Sequence, residues 1–83
     1  MILNNILDQI DNEDAENIII MDGLNDAIIG IDYNNTKLIY SVKKCIEILG
    51  HKMPNADAIE FLEFNTFPLY CGPNTPIFCN DQF

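Results

Sequence analysis

The stretch from Ala27 to Gly50 constrains the fold most, because it predicts two strands and a helix with almost no linker between them. The segment 27–33 shows the period of two that is typical of a half-buried strand: Ala27, Ile29, Ile31 and Tyr33 alternate with Ile28, Gly30 and Asp32. Asn34 and Asn35 can form a two-residue hairpin turn, since Asn tolerates positive φ better than most residues. Residues 36–40 then predict the returning strand.

A two-residue turn at this place also predicts how the two strands pair. Opposite charges would meet on the wetter face and large apolar groups on the other, which favours this register over its alternatives. The predicted pairs are Tyr33–Thr36, Asp32–Lys37, Ile31–Leu38, Gly30–Ile39 and Ile29–Tyr40.

A helix is predicted directly after the hairpin. Ser41 is a suitable N-cap, because its hydroxyl can accept a hydrogen bond from a free backbone N–H. Gly50 stands where the residue after a helix end is expected. The apolar stripe of this helix consists of Val42, Cys45, Ile46 and Leu49.

The remaining elements are predicted from periodicity and from Gly and Pro positions. Residues 1–11 predict a short amphipathic helix, and residues 11–17 predict an acidic connector. The apolar run 18–21 fits either a buried strand or one helical turn that leads into the first strand, and we favour the helical turn. Residues 55–66 predict a helix and residues 75–79 a last strand, with Pro76 at its start or on a sheet edge.

The predicted helix 55–66 carries two separate apolar faces. Phe61 and Phe64 group together beside Asp57, about 140° away from the other apolar residues at the 100° spacing of a helix. Two apolar faces predict that this helix lies between the sheet and another element. The alternative is that Phe61 and Phe64 form a patch for a partner or for self-association.

Together these elements predict an α+β fold in the order α-β-β-α-α-β, with a small three-stranded antiparallel sheet covered on one face by helices. The 83 residues predict a single domain, 1–83. Within it, residues 1–17 would form the N-terminal helix and acidic connector, and residues 18–83 the compact core.

The charge balance excludes several kinds of partner. Thirteen acidic residues against four basic ones give a net charge of −9, which argues against direct binding to nucleic acid or to an anionic membrane surface. The same charge permits a basic protein partner. We expect an intracellular protein that is neither secreted nor in a membrane, because no signal-peptide pattern or long apolar run is present and the three cysteines fit a reducing compartment.

No constellation of residues predicts catalysis. The only histidine, His51, follows a helix end, and Cys45 lies on an apolar stripe. The cysteines lack the close spacing of zinc ligands. Asp22 and Asp26 are best interpreted as solvated carboxylates. We therefore expect a protein that is not an enzyme, with no catalytic residues, no metal and no cofactor.

Four sequence segments stand out as a set: MDGLNDAIIGI, LIYSVKKCIEIL, M-x-x-x-DAIEFLEFN and Y-x-G-x-x-TPIF. Taken together, they resemble a family of small uncharacterised proteins found in tailed bacteriophages and in bacterial and other viral genomes. The resemblance runs from Met21 to Phe78, although the hairpin loop here is shorter than in the family and Phe67-Pro68-Leu69 replaces small residues. It implies a compact domain of viral or mobile-element origin and supplies no reaction.

These observations favour a small acidic protein-interaction module that modulates a host protein. A minor virion or assembly component, or a small-molecule binder at an oligomer interface, stays open as an alternative, as does a homo-oligomer. The candidate binding residues are Phe61, Phe64, Asn65, Tyr70, Asp22 and Asp26.

Overall fold

The computed structural model describes residues 2–83 and contains helices and a sheet that together confirm the predicted α+β class. A short 3₁₀ helix, Asn25–Ala27, precedes the first strand. The strands are β1 (Ile28–Ile31), β2 (Leu38–Ser41) and β3 (Ile77–Cys79), and the α-helices are α1 (Ile2–Gln9), α2 (Asn12–Asn17), α3 (Val42–Gly50) and α4 (Asn55–Asn65).

The sheet has the strand order β1-β2-β3, and its pairing corrects one prediction. β1 and β2 are antiparallel, as expected for a hairpin. β2 and β3 are parallel, so the prediction of a wholly antiparallel sheet is wrong. The reason is the long connection through α3 and α4, which is the kind of crossover that parallel neighbours require. β3 lies on a sheet edge and follows Pro76, as predicted.

The hairpin register is predicted correctly near the turn and wrongly beyond it. Ile31 pairs with Leu38 and Gly30 pairs with Ile39. The register then shifts, so that Ile28, not Ile29, faces Tyr40. An extra residue in one strand is a β-bulge, which periodicity along one strand cannot reveal.

The hairpin turn is wider than two residues and is closed by Asp32. The Asn35 N–H donates to the Asp32 carbonyl (2.9 Å), and Asn35 adopts a left-handed φ of 59°. The Asp32 carboxylate accepts hydrogen bonds from the backbone N–H groups of Thr36 (2.7 Å) and Lys37 (2.8 Å). Burial acts to raise the pKa of Asp32, but these hydrogen bonds outweigh it and hold the pKa below its ordinary value. The predicted Tyr33–Thr36 pair is therefore replaced by a side-chain cap.

The core lies on the face of the sheet that the helices cover. Tyr40 is fully buried, and its hydroxyl accepts a hydrogen bond from the Met21 N–H at 2.8 Å. The ring centroids of Tyr40 and Phe78 are 5.5 Å apart, and those of Phe67 and Phe78 are 4.8 Å apart. The buried cluster consists of Leu3, Ile18, Leu24, Ala27, Ile28, Leu38, Tyr40, Cys45 and Leu62. Leu3 belongs to this cluster, so α1 packs into the same core as the sheet.

The start of α3 is capped twice. Ser41 is the N-cap, as predicted, and its Oγ accepts a hydrogen bond from the Lys44 N–H at 3.0 Å. The Ser41 hydroxyl also donates to the Asp81 carboxylate (2.5 Å), which accepts in addition from the Lys43 N–H (2.9 Å). These hydrogen bonds from Ser41 and Lys43 lower the pKa of Asp81 and attach the C-terminal segment to the helix.

Three local predictions differ from the structure. Gly50 is the last residue of α3 and not the residue after it; a Cβ there would lie 3.0 Å from the Asn55 side-chain oxygen. The acidic connector forms the short helix α2, and the segment 18–21 has no regular structure. Gly23, with φ of 82°, follows that segment in a turn.

Candidate functional site

The helix α4 is buried along one face and exposed along much of the other. Ala58 and Leu62 are fully buried, and α4 packs against α3. Phe61 is 46% exposed and Phe64 is 75% exposed. The prediction that α4 lies between two elements is therefore wrong, because residues 2–83 cover Phe61 only in part and leave Phe64 largely exposed.

The exposed face of α4 forms one side of an open groove of about 360 Å³, called here the α4 groove. The groove brings together three predicted binding residues and three residues that were not predicted. Its lining residues are Met53, Asp57, Glu60, Phe61, Phe64 and Asn65.

The α4 groove combines aromatic rings with carboxylates. Asp57 stands one helical turn before Phe61, and Glu60 stands one turn before Phe64, so each carboxylate is next to a ring on the helix surface. Both carboxylates are exposed, and no Lys, Arg or His lines the groove. This arrangement favours a ligand that is cationic and partly apolar.

Asn65 is connected to the same face by a hydrogen bond. Its Nδ2 donates to the Phe61 carbonyl oxygen at 3.2 Å. This bond leads back into the helix by one turn. The acceptor Oδ1 has no partner of its own in this bond and can contact a ligand.

Asp22 lies in a neighbouring cleft of about 290 Å³ that shares Phe61 with the α4 groove. The floor of this cleft is apolar and includes Leu24 and Leu62, while Asp22 and Lys52 supply charges of opposite sign. The ring of Phe61 therefore separates two depressions with different charge.

The other two predicted binding residues lie outside both depressions. Tyr70 is 77% exposed and follows α4 in the segment that leads to β3. Asp26 is exposed in the 3₁₀ helix. Sequence reasoning missed Met53, Asp57 and Glu60 as site residues, although the four-residue spacing from each carboxylate to a Phe would have indicated the last two.

Burial limits the chemistry of one of the three free cysteines, Cys45. Cys45 is fully buried, as predicted for a core residue. Burial, and next to it the negative charge of Asp81, raises the pKa of the Cys45 thiol to about 11, which makes it a poor nucleophile.

Among residues 2–83, no group of three or more His, Cys, Asp and Glu side chains is placed to hold a metal ion. In the same part of the chain, no helix is long and apolar enough to cross a membrane.

Comparison with protein-family models, curated proteins and solved structures gives no match. The geometry and charge of the α4 groove therefore carry the functional argument.

Proposed function

We propose that this protein is a small acidic interaction module that binds a basic surface of a partner protein through the α4 groove. The observation that carries the proposal is the exposure of Phe61 and Phe64 on a helix whose other face is buried. Together the two rings offer about 200 Å² of apolar surface, worth on the order of 5 kcal/mol if a partner covered it, before the costs of association. Clustered aromatic rings on a surface are characteristic of binding hot spots.

The charge of the chain indicates what kind of partner fits. The net charge is −9, and Asp57 and Glu60 stand at the groove itself. A basic partner would be attracted over long range and would be held at the rim by these carboxylates, whereas an acidic partner would be repelled. The open shape of the groove favours a protein surface over an enclosed small molecule.

We further propose that the protein acts inside a cell and is of viral or mobile-element origin, where it modulates a host protein. The resemblance of residues 21–78 to small phage and viral proteins supports the origin. The three free cysteines support a reducing compartment.

Affinity capture tests the proposal. Immobilised wild-type protein is exposed to host-cell extract at low and high salt, alongside Phe64→Ala and Tyr33→Ala. Tyr33 is a matched control, because it is a fully exposed aromatic residue in the hairpin turn and does not line the α4 groove. We expect one dominant basic protein that is lost at high salt and with Phe64→Ala but is retained by Tyr33→Ala.

Two results would contradict the proposal. Capture that is unchanged by Phe64→Ala would place the interaction elsewhere on the surface. Recovery of virion proteins alone, from infected cells, would favour the alternative of a minor virion or assembly component.

A further inference from the structure

The lining of the α4 groove has the chemistry of a site for one cationic side chain. Phe61 and Phe64 line the groove, and aromatic rings attract cations at their π faces. Asp57 and Glu60 supply carboxylates beside the rings, and Asn65 supplies an amide oxygen. From this we propose that the α4 groove binds an arginine side chain of the partner, an inference that rests on the proposed function.

Arginine fits this lining better than lysine. Its guanidinium is planar, stacks on aromatic rings and is more weakly hydrated than an ammonium group. Its five N–H donors can bond to more than one acceptor at once, and here Asp57, Glu60 and the Asn65 Oδ1 provide acceptors on one face.

The same lining disfavours other occupants. A phosphate or other anion would meet two carboxylates and no basic group. A second copy of this chain would bring Asp57 and Glu60 of both copies towards each other, and like charges brought together oppose association.

The test is an NMR titration of the full chain with short blocked peptides that differ at one residue. One peptide contains arginine, a second contains lysine, and a third contains citrulline, which has the shape of arginine without its charge. We expect the arginine peptide to shift the backbone signals of residues 57–65, with an affinity about threefold above the lysine peptide and about tenfold above the citrulline peptide.

Variants assign the binding to individual groups. Phe64→Leu keeps an apolar side chain but removes the π face, and Glu60→Gln removes one charge. We expect each to weaken the arginine peptide about threefold or more. Glu16→Gln is the matched control, because it removes the same charge from the exposed surface of α2. It should leave the affinity unchanged.

Three outcomes would overturn the inference. Equal affinity for arginine and citrulline peptides would show that charge is not recognised. Shifts spread over the acidic surface, or equal weakening by Glu16→Gln and Glu60→Gln, would show unspecific attraction to a chain of charge −9. If extract capture still depends on Phe64 in those cases, the proposed function stands and only the arginine assignment fails.

Discussion

Removing the hydroxyl of Tyr40 should destabilise the fold by an amount that follows from one hydrogen bond. Tyr40 is fully buried, and its hydroxyl accepts from the Met21 N–H at 2.8 Å. Tyr40→Phe keeps the ring and its packing on Phe78 but leaves that N–H without its partner. A half-buried unsatisfied donor costs about 1–2 kcal/mol. This is a large share of the stability of roughly 4–12 kcal/mol expected at this chain length.

Urea unfolding followed by circular dichroism measures this loss. With a denaturant slope of about 1 kcal/mol per molar for a chain of this size, the midpoint should fall by about 1–2 M. Tyr70→Phe is the matched control, because it removes the same atom from a side chain that is 77% exposed, and its midpoint should hardly change. Equal midpoints for the two variants would refute the reasoning that Tyr40 links the segment before β1 to the sheet.

Three further predictions concern other parts of the structure. Leu62→Ala should lower the free energy of unfolding by about 2–5 kcal/mol, whereas Phe64→Ala on the same helix should change it by less than about 0.5 kcal/mol, as urea midpoints will show. The pKa of Asp81 is lower in the folded protein than in the unfolded chain, so the Asp81 carboxylate stabilises the fold above its unfolded pKa. This stabilisation is lost as the pH falls through the pKa that Asp81 has in the folded protein. Between about pH 5 and pH 2, the free energy of unfolding should therefore fall more steeply with decreasing pH for wild type than for Asp81→Asn. Equal pH dependence in the two proteins would argue against the cap. Because the pKa of Cys45 is about 11, a thiol reagent near pH 8 should label the other two cysteines within minutes and Cys45 only in denaturant, as intact mass will show.

Local patterns predicted the elements of this fold and not their long-range arrangement. The Ser41 cap, the buried Cys45 and the Ile31–Leu38 pair are all set by residues a few positions apart. Whether β3 runs parallel or antiparallel to β2 depends on the end of the sheet at which the chain re-enters after α3 and α4. A strand of three residues contains no pattern that predicts this direction. The contact from Asp81 to Ser41 spans 40 positions, so no local pattern could reveal it.

The sequence predicts which aromatic residues share the candidate site but not how exposed they are or which carboxylates stand beside them. Helical spacing alone places Phe61 and Phe64 on one side of α4. Their exposure depends on whether another element packs over them, which only the tertiary structure shows. Asp57 and Glu60 were missed because exposed carboxylates are common in a chain with 13 acidic residues, so position beside the rings is what distinguishes them.

The most direct test of the central claim is a calorimetric comparison of binding between the captured partner and three forms of this protein. If the α4 groove is the binding surface, Phe64→Ala should weaken the affinity at least about tenfold, the effect of losing about 1.4 kcal/mol at a hot spot. Tyr33→Ala should stay close to the wild-type affinity. An equal affinity for wild type and Phe64→Ala would contradict the claim that the exposed rings of α4 bind the partner.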